Sequence, residues 1–318
     1  MKINLINKDN KEVLKNLNFF RFKKIFFLIS IVYLIYCLQV NLNKISLGFD
    51  FSTYKFHIIC SFVFCLLSIF FNASAWADIL SWLGFRGNYV KLISFYILTN
   101  SLKYVPGGIW HFVERFNYLK KITNEYLSFY SILLEPYFML SGSLLIVSLG
   151  AFYSPFLIVF VIPSIFLNKK LIYYVLCKLE LLKKKGIKLF SIKNSKLDFY
   201  SKIKLKSFFP IKPLFMEILF ICSKFIGFLI CLRIFNENTI QNNFLLFIAF
   251  CMSWSIGLIV PAAPGGLGVF EASFIFFVSK DFSQSVIIES LIYFRLISTV
   301  SDLFLSTPLF LQNILKRS

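Results

Sequence analysis

Long apolar runs dominate this chain, and short polar joints separate one run from the next. A helix that crosses the hydrocarbon core of a bilayer needs about 20 mostly apolar residues. Of the 318 residues, 58% are hydrophobic and 15% are charged, whereas a soluble domain is about 25% charged. The sequence therefore predicts an all-α polytopic integral membrane protein, a helical bundle of about 8 spans.

Basic segments divide the chain into four parts. We expect a basic cytoplasmic amino terminus (1–24), a first membrane half (25–167), a basic cytoplasmic loop (168–207) and a second membrane half (208–318). The orientation follows from the enrichment of Lys and Arg on the cytoplasmic side of membranes. The stretch LIYYVLCKLELLKKK in the loop indicates an amphipathic helix that lies on anionic lipid. No small-residue cleavage site follows the first apolar run, 25–40, which favours an uncleaved anchor.

The net charge of +19 would suggest a nucleic-acid partner in a soluble protein. Here the Lys residues lie between apolar runs and are not interleaved with aromatic residues in a binding pattern, so we predict no nucleic acid. The seven Cys and two His show no spacing typical of metal ligands. We therefore predict no metal and no cofactor, and we expect a multi-pass protein of a bacterial plasma (inner) membrane.

A Pro-Gly-Gly motif occurs twice, as PGGIWHFVE from Pro106 and as PGGLGVFE from Pro264. Both copies continue with a branched aliphatic residue, a Phe and a Glu. The copies are 264 − 106 = 158 residues apart, which is close to half of 318. Random placement of 9 Pro and 13 Gly gives only about 0.015 such triplets per chain. The repetition indicates an internal duplication.

Each Pro-Gly-Gly predicts an interrupted apolar segment. Pro ends a helix, Gly adopts dihedral angles that other residues avoid, and the next helix begins with free N–H groups that attract an anion. Paired interruptions in two half-repeats are typical of transporters whose substrate site lies between the repeats. Non-helical backbone at membrane depth is tolerated where it is buried or lines a polar cavity. A tight turn between two helices is the alternative for each copy.

Charged residues within the apolar runs also indicate a polar interior. Each would cost roughly 2.5 to 3.5 kcal/mol if it faced lipid at the midplane, so several must face inward. Residues seven apart share a helix face, which is the case for Glu217 with Lys224 and for Arg295 with Asp302. The complete set in or beside predicted spans is Glu135, Glu217, Lys224, Glu271, Glu289, Arg295 and Asp302.

The helix after the first motif carries three further polar candidates. His111 and Arg115 are four residues apart and share one face, and Glu114 is adjacent to Arg115. Pairing among such residues would satisfy them without any ligand.

The stretches KYVPGGIWHF and PAAPGGLGVFEA resemble the two hallmark motifs of the lysylphosphatidylglycerol synthase transmembrane-domain family, also called flippase-like membrane proteins. The resemblance covers residues 25–315. Members with a cytoplasmic aminoacyl-transferase domain synthesise lysylphosphatidylglycerol and move it across the membrane. This sequence shows no such domain, so the resemblance implies the translocating half and not an enzyme.

Matching the motifs residue by residue implies a set of substrate-binding positions. The resemblance implies Pro106, Gly107, Gly108, Glu114, Pro264, Gly265, Gly266, Gly268 and Glu271, with Trp110 and Phe270 beside them. His111, Arg115 and Arg295 complete the candidates on the basis of their chemistry and position.

These observations predict a lipid flippase or lipid-binding permease in which two half-repeats frame a polar cavity. We expect the partner to be an anionic phospholipid or a lipid-linked substrate, with its phosphate at the helix N-termini after the motifs. Glu114 and Glu271 would meet an amine on the headgroup, or pair with Arg115 and Arg295 when the site is empty. The sequence carries no recognisable nucleotide-binding loop, so transport would be downhill or ion-coupled.

Three alternatives stay open. The chain could be a membrane-embedded transferase with Glu114 or Glu271 as general base. It could instead be a secondary carrier of a small solute, or a scaffold that transports nothing.

Overall fold

The computed structural model describes residues 51–105, 108–172, 174, 205–235, 243–260, 268–278 and 284–315. Over these ranges the chain is helical and contains no strand. The α-helices are α1 (Phe51–Trp82), α2 (Tyr89–Asn100), α3 (Trp110–Ile122), α4 (Glu125–Ser148), α5 (Ile162–Ile165), α6 (Ile211–Phe235), α7 (Asn243–Ile259), α8 (Val269–Val278) and α9 (Gln284–Leu315). Short 3₁₀ segments occupy Ser101–Tyr104, Leu149–Phe152 and Pro155–Val161.

Within the described residues, three stretches of helix are long and apolar enough to cross a membrane: Tyr54–Trp82, Glu125–Phe152 and Ile211–Phe235. They are compatible with the predicted membrane protein. The first predicted span, the basic amino terminus and most of the basic loop lie outside the described residues. The predicted total of about 8 spans and the internal duplication therefore stay predictions.

The helices α1 and α6 pack side by side along much of their length. Gly227 of α6 lies at this contact, where a Cβ built on it would lie 3.4 Å from both the Ser61 carbonyl oxygen and Cys65 Sγ. Ser61 Oγ donates a hydrogen bond of 2.9 Å to the Gly227 carbonyl. Small residues and hydroxyl groups are the usual means by which membrane helices pack closely. The helices α4 and α9 pack against this pair.

Two hydrophobic clusters form the core. One joins the second half of α1 to α2, α3 and the first half of α4, with Trp76 and Phe138 fully buried. The other joins the four helices α6, α7, α8 and α9 through aromatic side chains such as Phe228, Phe250 and Phe274. Because α1 and α4 contribute to both clusters, these two helices connect them.

Two tryptophans, Trp76 and Trp82, lie in the second half of α1. α1 continues without a break to Trp82, and both Trp76 and Trp82 are buried. Trp82 satisfies its indole N–H inside the protein by donating to the Ser207 carbonyl at 3.1 Å. An amphipathic ring suits a buried site with an acceptor as well as it suits a membrane surface, and residue type alone does not distinguish the two.

Candidate functional site

The helix break expected at the first motif is present. α2 gives way to the 3₁₀ segment Ser101–Tyr104, and α3 begins at Trp110. Gly108 has φ = +62°, a conformation that residues with a Cβ rarely adopt. Its N–H donates to the Val105 carbonyl at 3.0 Å. Pro106 and Gly107 lie outside the described residues.

The second motif lies between α7 and α8, and its Pro264, Gly265 and Gly266 are outside the described residues. Gly268 precedes the first residue of α8 and has φ = +85°. Its N–H donates to Glu271 Oε2 at 2.7 Å. Glu271 is the third residue of the helix, so this bond is the Glu half of a capping box. Glu271 thus stabilises the start of α8.

The other oxygen of Glu271 pairs with Arg295 of α9. Arg295 Nε lies 2.6 Å from Oε1, and each of the two side chains is 22% exposed. The Arg295 guanidinium also lies 5.0 Å from the ring centroid of Phe270, which packs in the aromatic cluster. The pairing expected between Glu271 and Arg295 is therefore present, and it links α8 to α9.

Arg115 of α3 is fully buried and makes an ion pair with Glu135 of α4, at 2.5 Å between Nη1 and Oε1. Its Nε donates to Thr99 Oγ1 at 3.0 Å, and its guanidinium stacks 3.6 Å from the Tyr96 ring centroid. Tyr96 also donates to Glu135 Oε1 at 2.9 Å. The expected pairing of Arg115 with Glu114 stays a prediction, whereas the ion pair between Arg115 and Glu135 of α4 was not predicted from the sequence.

The remaining candidates of the first motif lie on the first turns of α3. Trp110 and Glu114 are half-buried. The ring of His111 lies 3.9 Å from that of Phe112, and the buried His111 Nδ1 has no hydrogen-bond partner among the described residues. His111 and Arg115 therefore both carry a buried nitrogen that faces the interior without a described acceptor.

A second polar group, the Asp302 cluster, consists of Asp302, Asn100, Lys103 and Tyr104. The Asp302 carboxylate is 1% exposed and lies 2.8 Å from Lys103 Nζ. It accepts hydrogen bonds of 2.7 Å from Asn100 and 2.5 Å from Tyr104. The cluster ties α9 to the segment that leads into Pro106. Sequence reasoning flagged Asp302 as a buried charge but missed its three partners, although Lys103 and Tyr104 begin the quoted motif KYVPGG.

Lys224 of α6 lies close to this cluster and is 3% exposed. Its Nζ donates to Ser298 Oγ of α9 at 2.6 Å, and its charge acts on both Asp302 and Lys103. Lys103 thus contacts the Asp302 carboxylate directly, whereas Lys224 acts on it through its charge. Among the described residues, two lysine charges therefore lie near one carboxylate charge, which leaves a surplus of positive charge. A buried cation is stable only when an anion and hydrogen-bond acceptors surround it.

In the described part of the chain, buried polar atoms without a described partner lie on α1, α3, α4 and α6. Buried polar groups in folded proteins nearly always have a protein, water or ligand partner. Such atoms are groups that a bound headgroup or water can satisfy. Among the described residues they include Trp76 Nε1, His111 Nδ1, Arg115 Nη2, Glu135 Oε2, Ser141 Oγ and both carboxyl oxygens of Glu217.

No group of three or more His, Cys, Asp or Glu side chains suits a metal ion in the part of the chain that the structure describes. The family-model scan and the search of curated proteins found no match to this chain. The motif resemblance to the lysylphosphatidylglycerol synthase transmembrane-domain family therefore stays a prediction.

Proposed function

We propose that this chain is a flippase-like membrane protein that binds the anionic headgroup of a phospholipid or lipid-linked substrate and moves it across the bilayer. The observation that supports the proposal is the surplus of positive charge around the buried Asp302 carboxylate, to which Lys103 and Lys224 contribute. One carboxylate compensates one lysine, so a phosphate would compensate the second. A phosphate ester offers several acceptor oxygens, as the lysine ammonium groups require.

The position of Lys103 makes it the accessible member of this group. Its side chain is 27% exposed, whereas that of Asp302 is fully buried. Lys103 also acts electrostatically on Arg115, whose Nη2 lacks a described partner. The charges of Arg115 on α3 and Lys224 on α6 therefore both act on Lys103, which lies just before the first motif.

The start of α3 supports the same binding site. Ile109 at its N-cap has no side chain that can accept the first N–H groups of the helix. A helix N-terminus of this kind attracts a negative charge through free N–H groups and the helix dipole. A charged headgroup that moved along these groups would avoid the hydrocarbon, where an unpaired charge is most costly.

Lipid transfer in proteoliposomes tests the proposal. Purified protein is reconstituted with fluorescent lipids that differ in headgroup, and dithionite reports the lipid that reaches the outer leaflet. We expect wild type to transfer phosphate-bearing anionic lipid faster than empty liposomes, and Lys224→Met to fall close to the empty-liposome rate. Lys121→Met is the control, because this lysine is exposed on α3. A wild-type rate equal to that of empty liposomes for every headgroup, with or without an imposed ion gradient, would reject the proposal.

A headgroup comparison tests the assigned role of the two glutamates. Lipids that carry an amine should lose more transfer in the Glu114→Gln, Glu271→Gln double variant than lipids that carry a phosphate alone. An equal loss for both headgroups would show that these carboxylates act on the fold and not on the amine.

A further inference from the structure

Glu217 is a buried carboxyl that none of the pairs described above includes. It lies in α6, is 1% exposed, and neither of its oxygens has a hydrogen-bond partner among the described residues. α4 packs closely against it, since a Cβ built on Gly142 would lie 3.2 Å from Glu217 Cβ. Glu217 therefore has little surrounding space and no described group that would stabilise a charge.

The charged surroundings of Glu217 have the wrong sign for a carboxylate. Of the helices packed on α6, α4 contributes Glu135, whose negative charge acts on Glu217. Within the described ranges, α1, α7 and α9 contribute no charged side chain that acts on it. Tyr96 of α2 also lies within electrostatic reach. Lys224 on the same helix donates to Ser298 instead.

A carboxylate in such a place would have to give up its hydration without gaining a cation or a donor. The neutral carboxylic acid gives up far less hydration, so burial at this position favours it over the carboxylate. Ionisable carboxyls inside membrane bundles commonly serve as proton relays.

We propose that Glu217 is a proton-binding site that couples headgroup movement to a proton gradient, an inference that rests on the function proposed above. Release breaks the O–H bond of the acid, leaves its electron pair on the Glu217 carboxylate and passes H⁺ to water. The carboxylate then favours a conformation in which Glu217 reaches water or a cation. Protonation and deprotonation thus select between two conformations, and a gradient across the membrane gives the cycle a direction.

Glu135 connects this site to the headgroup site. Its charge acts on Glu217, and its Oε1 binds Arg115 on the helix that follows the first motif. A headgroup phosphate that bound Arg115 Nη2 would weaken the ion pair between Arg115 and Glu135. The negative charge of Glu135 would then act more strongly on Glu217 and favour its protonated form. By reciprocity, lower pH should favour binding of the anionic headgroup.

Transfer of an anionic fluorescent phospholipid under an imposed pH gradient tests the coupling. With the donor leaflet on the acidic side, we expect wild-type transfer to accelerate, up to roughly 100-fold for one proton and two pH units. Glu217→Gln should transfer lipid without a gradient and lose the acceleration. Glu289→Gln, a half-buried carboxyl of α9, should behave as wild type. Gradient dependence retained in Glu217→Gln, or absent from wild type, would overturn the coupling while zero-gradient transfer still supported the proposed function.

Infrared spectroscopy tests the proton without any transport. Wild-type protein in unlabelled phospholipid vesicles should show a carboxylic-acid C=O band that Glu217→Gln lacks and Glu289→Gln keeps. Identical bands in wild type and Glu217→Gln would overturn the proposed proton site. If the band is lost in Glu217→Gln but wild type moves no lipid, the proposed function fails, and the coupling fails with it, whereas the protonated acid stands.

Discussion

Lys103 Nζ lies 2.8 Å from Asp302 Oδ2. This ion pair joins the segment before the first motif to α9, the last described helix. The adjacent Tyr104 donates to the same carboxylate at 2.5 Å. Asp302 is buried, and its contacts with Lys103 and Tyr104 fix the 3₁₀ segment Ser101–Tyr104 against α9. The pair therefore has a structural role as well as its place in the proposed headgroup site.

Removal of the charge of Asp302 should destabilise the protein strongly. Asp302→Asn leaves Lys103 and Lys224 without their shared carboxylate, and an uncompensated buried charge costs about 3 to 5 kcal/mol. Denaturant unfolding in detergent micelles, followed by tryptophan fluorescence, measures the free energy of unfolding.

The double variant Asp302→Asn, Lys103→Met is the matched control for this prediction. It removes one positive charge together with the negative one, so it should recover part of the lost stability. Equal stabilities for the single and double variants would mean that charge compensation does not explain the effect.

Arg115→Lys should fail to replace arginine. A lysine can reach Glu135, but it has no planar guanidinium to stack on Tyr96 and no second nitrogen for Thr99. We expect a loss of about 2 kcal/mol in the free energy of unfolding, since hydrogen bonds to charged groups contribute about 1.5 to 3 kcal/mol. Lys121→Arg, at an exposed position on the same helix, should leave the unfolding midpoint unchanged. A wild-type midpoint for Arg115→Lys would show that charge alone is sufficient at this site.

Two substitutions of Glu271 separate helix capping from charge. Glu271→Gln keeps an acceptor for the Gly268 N–H but removes the charge that Arg295 binds. Glu271→Ala removes both. We expect a loss of about 1 kcal/mol or less for Gln, because the pair is partly exposed, and a further loss of about 1 kcal/mol for Ala. Thermal unfolding in detergent compares the two, and equal losses would mean that the cap contributes nothing.

Gly268→Ala should destabilise the protein through the backbone alone. No atom of the described residues lies within 4 Å of a Cβ built at this position, so no described side chain opposes a methyl group there. Its φ of +85° nevertheless disfavours Ala by roughly 1 to 2 kcal/mol. Gly268→Asn should cost less, because Asn tolerates positive φ better than Ala. If Ala proved as stable as Gly in thermal unfolding, positive φ would not be required before α8.

The sequence predicted the class of fold and the position of a helix break, but it left other features undetermined. Apolar run length predicted the long apolar helices, and Pro-Gly-Gly predicted the interruption before α3, because both signals are local. The burial of Trp76 could not be predicted from its residue type, since an indole suits a buried site as well as a membrane surface. Glu271 was identified as a site residue, yet its bond to the Gly268 N–H depends on where α8 begins.

The sequence by itself therefore determined where the long apolar helices lie and which charged residues within them would be costly in contact with lipid. The cost of a lipid-facing charge is a property of one residue, and the sequence suffices to judge it. Only the tertiary structure decided the partners: Arg115 with Glu135, Lys103 with Asp302, and Glu217 with no described hydrogen-bond partner. Partner choice depends on the rotation and register of packed helices, which many weak contacts between distant segments determine together.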